Sequence, residues 1–194
     1  MIARQIPWWL IGFRLLAGPV MIALCLLNVP HASILCVGLL AVGVVSDIFD
    51  GVIARKLDCV TPALRVMDSR ADVVFWLSVA VAVHLLHPAL IGTTWVMIAV
   101  LGAMELSVHL ISYVRFKREA STHHILSKLF TLGLWALLSQ MFVTGQAGVF
   151  FWLILALGVV SQLEAALIML TVPTWVCDVK SLKQARKLAH NDSV

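Results

Sequence analysis

Charged residues are scarce in this chain: lysine, arginine, aspartate and glutamate make up 12% of its 194 residues, whereas 61% are hydrophobic. A soluble domain of this length has too little interior to bury so much apolar surface, so this balance excludes one. No segment is left over for a soluble domain, and no internal repeat is visible. The composition therefore predicts an all-α integral membrane protein with a single domain over residues 1–194.

Cysteine is also rare. The four cysteines, Cys25, Cys36, Cys59 and Cys177, are dispersed and form no CxxC pair, a pattern that indicates neither a disulfide framework nor a zinc site. The first apolar run has no small-residue cleavage site behind a basic region. We therefore expect that run to be a retained membrane span and not a removed signal.

Six apolar runs are long enough to cross a bilayer as helices. The predicted spans run from about Trp8 to Leu27, from the turn Asn28–His31 to Arg55, from Thr61–Pro62 to Leu86, from Thr93 to Val114, from Ile125 to Val143, and from Val149 to Leu170. The third begins at Thr61–Pro62 because threonine favours the N-cap and proline the first helical position.

Residues 174–194 form a basic tail beyond the sixth span. Its pattern predicts an amphipathic helix in the membrane interface, because the lysines can face water while the apolar residues face lipid. The residues predicted to face lipid are Trp175, Val179, Leu182 and Ala189.

Lysine and arginine are absent from the turns around Pro30, His87–Pro88 and Gly145–Gln146. All 14 of them except Arg14 lie on the other side of the predicted spans: Arg4, Arg55, Lys56, Arg65, Arg70, Arg115, Lys117, Arg118, Lys128, Lys180, Lys183, Arg186 and Lys187. By the positive-inside rule, both termini face the cytoplasm. We expect a multi-pass protein of a bacterial inner (cytoplasmic) membrane.

Four carboxylates flank the break between the second and third spans. Asp47 and Asp50 are three residues apart, and Asp68 and Asp72 are four apart, so each pair projects from one face of its helix. Four negative charges can share a low-dielectric site only when cations neutralise them, and carboxylate oxygens favour magnesium, manganese or calcium. Two divalent cations would balance the charge.

The four acids are also predicted to lie below the membrane surface. About 14 residues separate them from the far turns, or roughly 21 Å of helix, whereas the hydrocarbon core is about 30 Å thick. Because charged groups do not face lipid, the acids should line a wet cavity that opens to the cytoplasm. Such a cavity can accept a polar lipid headgroup from the side and a soluble molecule from below.

The acidic stretch has a longer pattern around it. Asp47-Ile-Phe-Asp50-Gly51-Val-Ile-Ala54-Arg55, followed by Asp68-Ser-Arg-Ala-Asp72, resembles the signature of the CDP-alcohol phosphotransferase (CDP-alcohol phosphatidyltransferase) family, D-x2-D-G-x2-A-R-x8-G-x3-D-x3-D. The spacing within each half and the gap between the halves both match. The number of spans and their orientation agree with that family too, so the resemblance covers most of the chain.

The resemblance implies an enzyme in which an alcohol hydroxyl attacks the phosphorus of a CDP-linked alcohol and CMP leaves. It implies that Asp47, Asp50, Asp68 and Asp72 hold two Mg²⁺ or Mn²⁺ ions and that Asp72 is also the general base. The nucleotide would lie against Asp47, Gly51, Ala54 and Arg55. Small residues at 51 and 54 thin the helix face for a flat base, and Arg55 either pairs with the diphosphate or is an ordinary positive-inside residue.

Three positions depart from the family pattern. Leu64 replaces the glycine that lies beside the nucleotide in the family, which changes the expected shape of the cytidine pocket. Trp8 and Ile11 replace an asparagine and a threonine of the first span, whereas Arg14 and Pro19 are similar to the family's arginine and proline. The chain resembles a divergent member.

The expected function is transfer of a phosphatidyl group from CDP-diacylglycerol to a small polar alcohol, such as a phosphorylated polyol. One alternative is transfer from a soluble CDP-alcohol onto diacylglycerol. An alternative of another class is a divalent-cation transporter or a non-catalytic member. A homodimer is implied by the resemblance alone, and no nucleic acid partner is expected.

Several other polar residues have two interpretations each. Arg14 is either functional or a snorkelling side chain. Arg115, Arg118 and Lys128, near His123-His124, either receive a phosphorylated acceptor or follow the positive-inside rule. Glu105 and Glu164, inside the fourth and sixth spans, are either site residues or hydrogen-bonded contacts between helices.

Overall fold

The computed structural model describes residues 5–57, 61–118, 124–176 and 179–191. Within these ranges, no side chain is described for Arg55, Pro62, Ala63, Arg65 and Asn191. The helices are α1 (Ile6–Leu26), α2 (Ala32–Lys56), α3 (Pro62–Leu86), α4 (Ile91–Phe116), α5 (Ile125–Thr144), α6 (Gly148–Thr171) and α7 (Leu182–Asn191), with a 3-10 turn at Pro88–Leu90. The described residues form no strand.

Six of these helices, α1 to α6, are long and apolar enough to span a membrane. This confirms the all-α class and the six predicted spans, so the chain is a multi-pass membrane protein. Thr61 begins α3 as predicted, because its hydroxyl accepts a hydrogen bond of 3.1 Å from the Leu64 amide. The cytoplasmic location of the termini stays a prediction.

The chain divides into two compact units. The first holds residues up to Ile91 together with Leu138–Gln146, and the second holds Gly92–Leu137 and the residues from Ala147 onward. The prediction of a single domain over 1–194 stays a prediction.

In the first unit, α1 packs against both α2 and α3. Near the end of α1, the Cys25 sulfur lies 3.9 Å from the Cys36 sulfur at the start of α2 and 3.7 Å from the Ala82 carbonyl near the end of α3. Helix α2 therefore runs antiparallel to α1, and α3 runs parallel to it. The end of α2 and the start of α3, which carry the acidic residues, consequently meet beside the first half of α1.

Two glycines allow α3 to approach its neighbours closely. A Cβ on Gly18 of α1 would lie 2.7 Å from the Ser78 Cβ, and a Cβ on Gly43 of α2 would run into the ring of Phe75. Small residues at such crossings let membrane helices gain contact area between their backbones. Phe75 is fully buried in this contact, which fixes the face that α3 turns toward α1 and α2.

In the second unit, α7 packs against α6. Val179, just before α7, and Ala185 within it are fully buried with Ile168, Met169 and Val172. Leu182 packs against the same group. The prediction that Val179 faces lipid is therefore wrong, because protein covers it. Leu182 is half-buried, so its predicted contact with lipid stays a prediction.

The predicted start of the tail helix also needs correction. Trp175 and Val179 precede α7, which begins at Leu182. Lys183, Arg186 and Lys187 are exposed, as expected for the polar face. An apolar stripe in the sequence is the same whether a neighbouring helix or lipid covers it, which is why the pattern did not distinguish the two.

Candidate metal centre

The four acidic residues project from facing surfaces of two helices. Asp47 and Asp50 lie on α2, and Asp68 and Asp72 lie on α3. Asp47, Asp50 and Asp68 each offer a carboxylate oxygen within 4.8 Å of the others. The spacing in the sequence therefore predicted correctly that carboxylates from both helices meet.

Arg14 of α1 lies at the centre of these acids. Its Nη1 is 2.7 Å from Asp47 Oδ1 and 3.1 Å from Asp50 Oδ2, and its Nη2 donates to Asp68 Oδ1. Its Nε lies 2.8 Å from Asp72 Oδ1 as an ion pair that lacks hydrogen-bond alignment. We call these five residues the acid cluster.

The burial of Arg14 excludes the interpretation of this residue as a snorkelling side chain. The side chain is 1% exposed, so it does not snorkel to the headgroups. The sequence contained a signal for this arrangement: a charge inside an apolar span needs a partner, and α2 and α3 carry four acids. The partners could not be named because the rotation of α1 about its axis decides which helix its arginine faces.

The acids differ in their exposure. Asp50 is 5% exposed, whereas Asp47, Asp68 and Asp72 are 36, 32 and 35% exposed. Because charged groups avoid lipid, we expect water at these three exposed carboxylates. We call Asp50 and Arg14 the floor of the site and the other three acids its rim.

The charge and the chemistry of these side chains fit divalent cations. Four carboxylates and one guanidinium leave a net formal charge of three negative units in the acid cluster. Clustered carboxylate oxygens are the ligands that Mg²⁺ and Mn²⁺ prefer. Asp72 is outside the group of three acids with mutually close oxygens. Its ion pair with Arg14, which also contacts those three acids, connects it to the group.

A second group of residues lies beside the acid cluster on the same three helices. Ile11 of α1, Ala54 of α2, and Leu64 and Ala71 of α3 are buried together, with Leu15 and Met67 packed against them. We call the first four the apolar cluster. Ile11 and Leu64, two of the three departures from the signature, belong to it, so these two occur together on one apolar surface that also holds Ala54.

The remaining residues predicted to bind the nucleotide are only partly described. Gly51 is half-buried on α2, one position after Asp50. The side chain of Arg55 lies outside the described residues, so its predicted contact with a diphosphate stays a prediction.

Two of the three residues predicted to bind the acceptor contact the protein itself. Arg115 donates to the Met169 carbonyl and, at 3.3 Å, to the Val172 carbonyl at the end of α6. The Arg118 guanidinium lies 5.0 Å from the centre of the Trp175 ring. Lys128 is exposed. The two arginines therefore have a structural role, and acceptor binding stays a prediction for all three residues.

Both intramembrane glutamates make hydrogen bonds to neighbouring elements. Glu105 of α4 accepts from the Gln162 amide of α6 and lies 3.1 Å from His109. Glu164 accepts from the Leu182 amide at the start of α7, at 3.2 Å. This confirms the interpretation as contacts between helices. His123 lies outside the described residues.

His124 belongs to the basic cluster at the ends of the fourth and fifth predicted spans, and the sequence left its role open between acceptor binding and a position near lipid. Its ring is 3% exposed, and Nε2 lies 3.0 Å from both the carbonyl and the hydroxyl oxygen of Ser161. No short motif in the sequence marks this contact, because the two residues are 37 positions apart.

A family model described as CDP-alcohol phosphatidyltransferase matches residues 4–161, which is most of the chain. The chain belongs to the CDP-alcohol phosphatidyltransferase family. It is therefore a membrane transferase of this family, whose substrates are a CDP-alcohol and an alcohol. No curated protein and no solved structure matches the chain.

Use of divalent metal ions is a property of CDP-alcohol phosphatidyltransferases, and it agrees with the charge of the acid cluster. The matched residues include all five members of that cluster and all four of the apolar cluster. Helix α7 lies beyond the match, so the basic tail is an addition to the part that the family model covers.

Proposed function

We propose that this enzyme transfers a phosphatidyl group from CDP-diacylglycerol to the hydroxyl of a small polar alcohol, for which a phosphorylated polyol is a good candidate. The convergence of four carboxylates from two helices around Arg14 supports this proposal most strongly. The acceptor oxygen forms a bond to the phosphorus that carries the lipid. The bond from that phosphorus to the bridging oxygen breaks, and CMP leaves with the bonding electrons.

In this proposal Asp47, Asp50, Asp68 and Asp72 hold two divalent cations, Mg²⁺ or Mn²⁺. When bound, these ions would neutralise charge on the phosphate and leaving oxygens. Asp72 takes the proton of the acceptor hydroxyl. Its partly exposed position on the rim supports that role, since a general base must come within hydrogen-bond reach of its substrate.

The nucleotide would lie along α2, against Asp47, Gly51, Ala54 and Arg55. The acceptor would use the basic residues Arg115, Arg118 and Lys128. We further propose that the site faces the cytoplasm of a bacterial inner membrane and that the enzyme forms a homodimer. The basic residues on one side of the predicted spans support the orientation.

The same acids could serve the transfer of a soluble CDP-alcohol onto diacylglycerol.

A second candidate function rests on the apolar cluster. Leu64 and Ile11 are buried together with Ala54, which favours a family member that keeps the metal centre but binds nucleotide poorly. Metal binding without catalysis would distinguish this candidate from the enzyme.

The test uses the purified full chain in lipid nanodiscs that contain diacylglycerol, with Mg²⁺ or Mn²⁺. CDP-diacylglycerol is supplied with a panel of polyols and phosphorylated polyols, and soluble CDP-alcohols are supplied in parallel. We expect CMP release in the first arm that depends on both metal and acceptor. Release only in the second arm would reverse the direction of transfer, and metal binding with no release in either arm would favour the non-catalytic member.

A further inference from the structure

Arg14 occupies a position that a simple anchoring role does not explain. Helix α1 contributes no carboxylate to the acid cluster, yet its one arginine contacts all four acids of α2 and α3. The guanidinium is almost fully buried. It is therefore the link through which charges on three helices are held together.

The charge balance indicates when this link is needed. Without another cation, Arg14 offsets one of four negative charges, and without Arg14 the four carboxylates would repel one another in a low-dielectric setting. Two divalent cations would by themselves neutralise the four carboxylates. Arg14 therefore reduces the repulsion among the carboxylates most strongly before metal binds, and its positive charge is not needed for neutrality once two cations are bound.

The guanidinium and a divalent cation would also use the same carboxylate groups. Nη1 lies against oxygens of Asp47 and Asp50, and Nη2 lies against an oxygen of Asp68. These are the three acids whose oxygens approach one another within 4.8 Å. A guanidinium at hydrogen-bond distance from these carboxylates repels a divalent cation that approaches them and occupies part of their accepting capacity, so each cation opposes binding of the other.

We propose that Arg14 is a built-in counter-cation, which assembles the carboxylates in the metal-free protein and competes with divalent cations for their oxygens. The proposal rests on the metal centre of the proposed function. Arg14 in this account is a positioning residue: it sets how stable the empty site is and how tightly the metal must bind to displace it.

The experiment compares Arg14→Gln with wild type, as full chains in detergent. One readout is the thermal unfolding temperature in EDTA, and the other is the Mn²⁺ dissociation constant from the paramagnetic resonance of free Mn²⁺. Arg14→Gln should unfold at least about 5 °C lower in EDTA and bind Mn²⁺ about tenfold more tightly. Arg70→Gln, which removes an exposed positive charge from α3, should change neither quantity.

Arg14→Lys keeps the measurement informative if Arg14→Gln does not fold without metal. A single ammonium cannot reach four carboxylates as a planar guanidinium does, so this variant should show smaller changes in the same directions. Unchanged or weaker Mn²⁺ binding in the Arg14 variants would overturn the competition. A wild-type protein that binds no Mn²⁺ would instead overturn the metal centre itself, so the two failures are distinguishable.

Discussion

The acid cluster and the apolar cluster lie side by side on the same three helices, yet they relate to the family pattern differently. The acid cluster keeps all four aspartates and the arginine of α1. The apolar cluster keeps the alanine of the signature at Ala54 but holds Leu64 in place of its glycine and Ile11 in place of the threonine of many members, and these two residues are buried together. The difference indicates that the chain keeps the charge chemistry of the family while the surface beside it has changed.

The largest effect is expected from a substitution that removes one negative charge from the acid cluster and leaves the apolar cluster unchanged. Asp50→Asn keeps the size of the most buried acid but removes its negative charge, and we expect CMP release to fall about a thousandfold because a metal ligand is lost. Mn²⁺ affinity should fall with it. Glu164→Gln, which changes a carboxylate that accepts from the Leu182 amide, is the matched control and should keep both quantities; normal activity in Asp50→Asn would contradict the assignment.

The next effect concerns the apolar cluster. Leu64→Ala should lower the free energy of unfolding by about 2–5 kcal/mol, because it leaves a cavity among Ile11, Ala54 and Ala71. If Leu64 narrows the nucleotide pocket, the same change should tighten CDP binding about tenfold and leave Mn²⁺ affinity unchanged. Thermal unfolding and calorimetric titration measure these quantities.

Met67→Ala is the control for that substitution. Met67 packs against the same cluster from α3 but does not replace the family's glycine, so its truncation should cost stability without tightening CDP binding. Equal gains in CDP affinity from both variants would mean that general loosening, and not the shape of residue 64, limits the nucleotide site.

The smallest effect is expected at the N-cap of α3, the helix that carries residues of both clusters. Thr61→Ala removes the hydroxyl that accepts from the Leu64 amide, and we expect a loss of about 1 kcal/mol in the free energy of unfolding. Thr61→Ser retains the hydroxyl and should stay near wild type. A loss of equal size in Thr61→Ser would show that the methyl group, and not the cap, provides the stability.

Much of the fold was predictable because membrane spans follow from length and hydropathy alone. The six helices begin and end close to the predicted residues, and the cap at Thr61 is present. The meeting of Asp47, Asp50 and Asp68 followed from their spacing on two adjacent helices. These features depend on local sequence, which is why the pattern was sufficient.

Features that depend on how helices are rotated against one another were not predictable. The sequence marks Arg14 as unusual but does not show that it faces four acids. It likewise does not show that Ile11 and Leu64, 53 positions apart in the chain, are buried together. The tail was misjudged for a related reason, since Val179 packs on α6 and not in lipid.

The most direct test of the central claim is CMP release from CDP-diacylglycerol by wild type and Asp72→Asn in parallel, with Mn²⁺ and with EDTA. We expect release by wild type with Mn²⁺ and an acceptor, none in EDTA, and a loss of about a thousandfold in Asp72→Asn, because the proposed base and a metal ligand are both altered. Release that is insensitive to EDTA, or equal in the two proteins, would contradict the proposed mechanism.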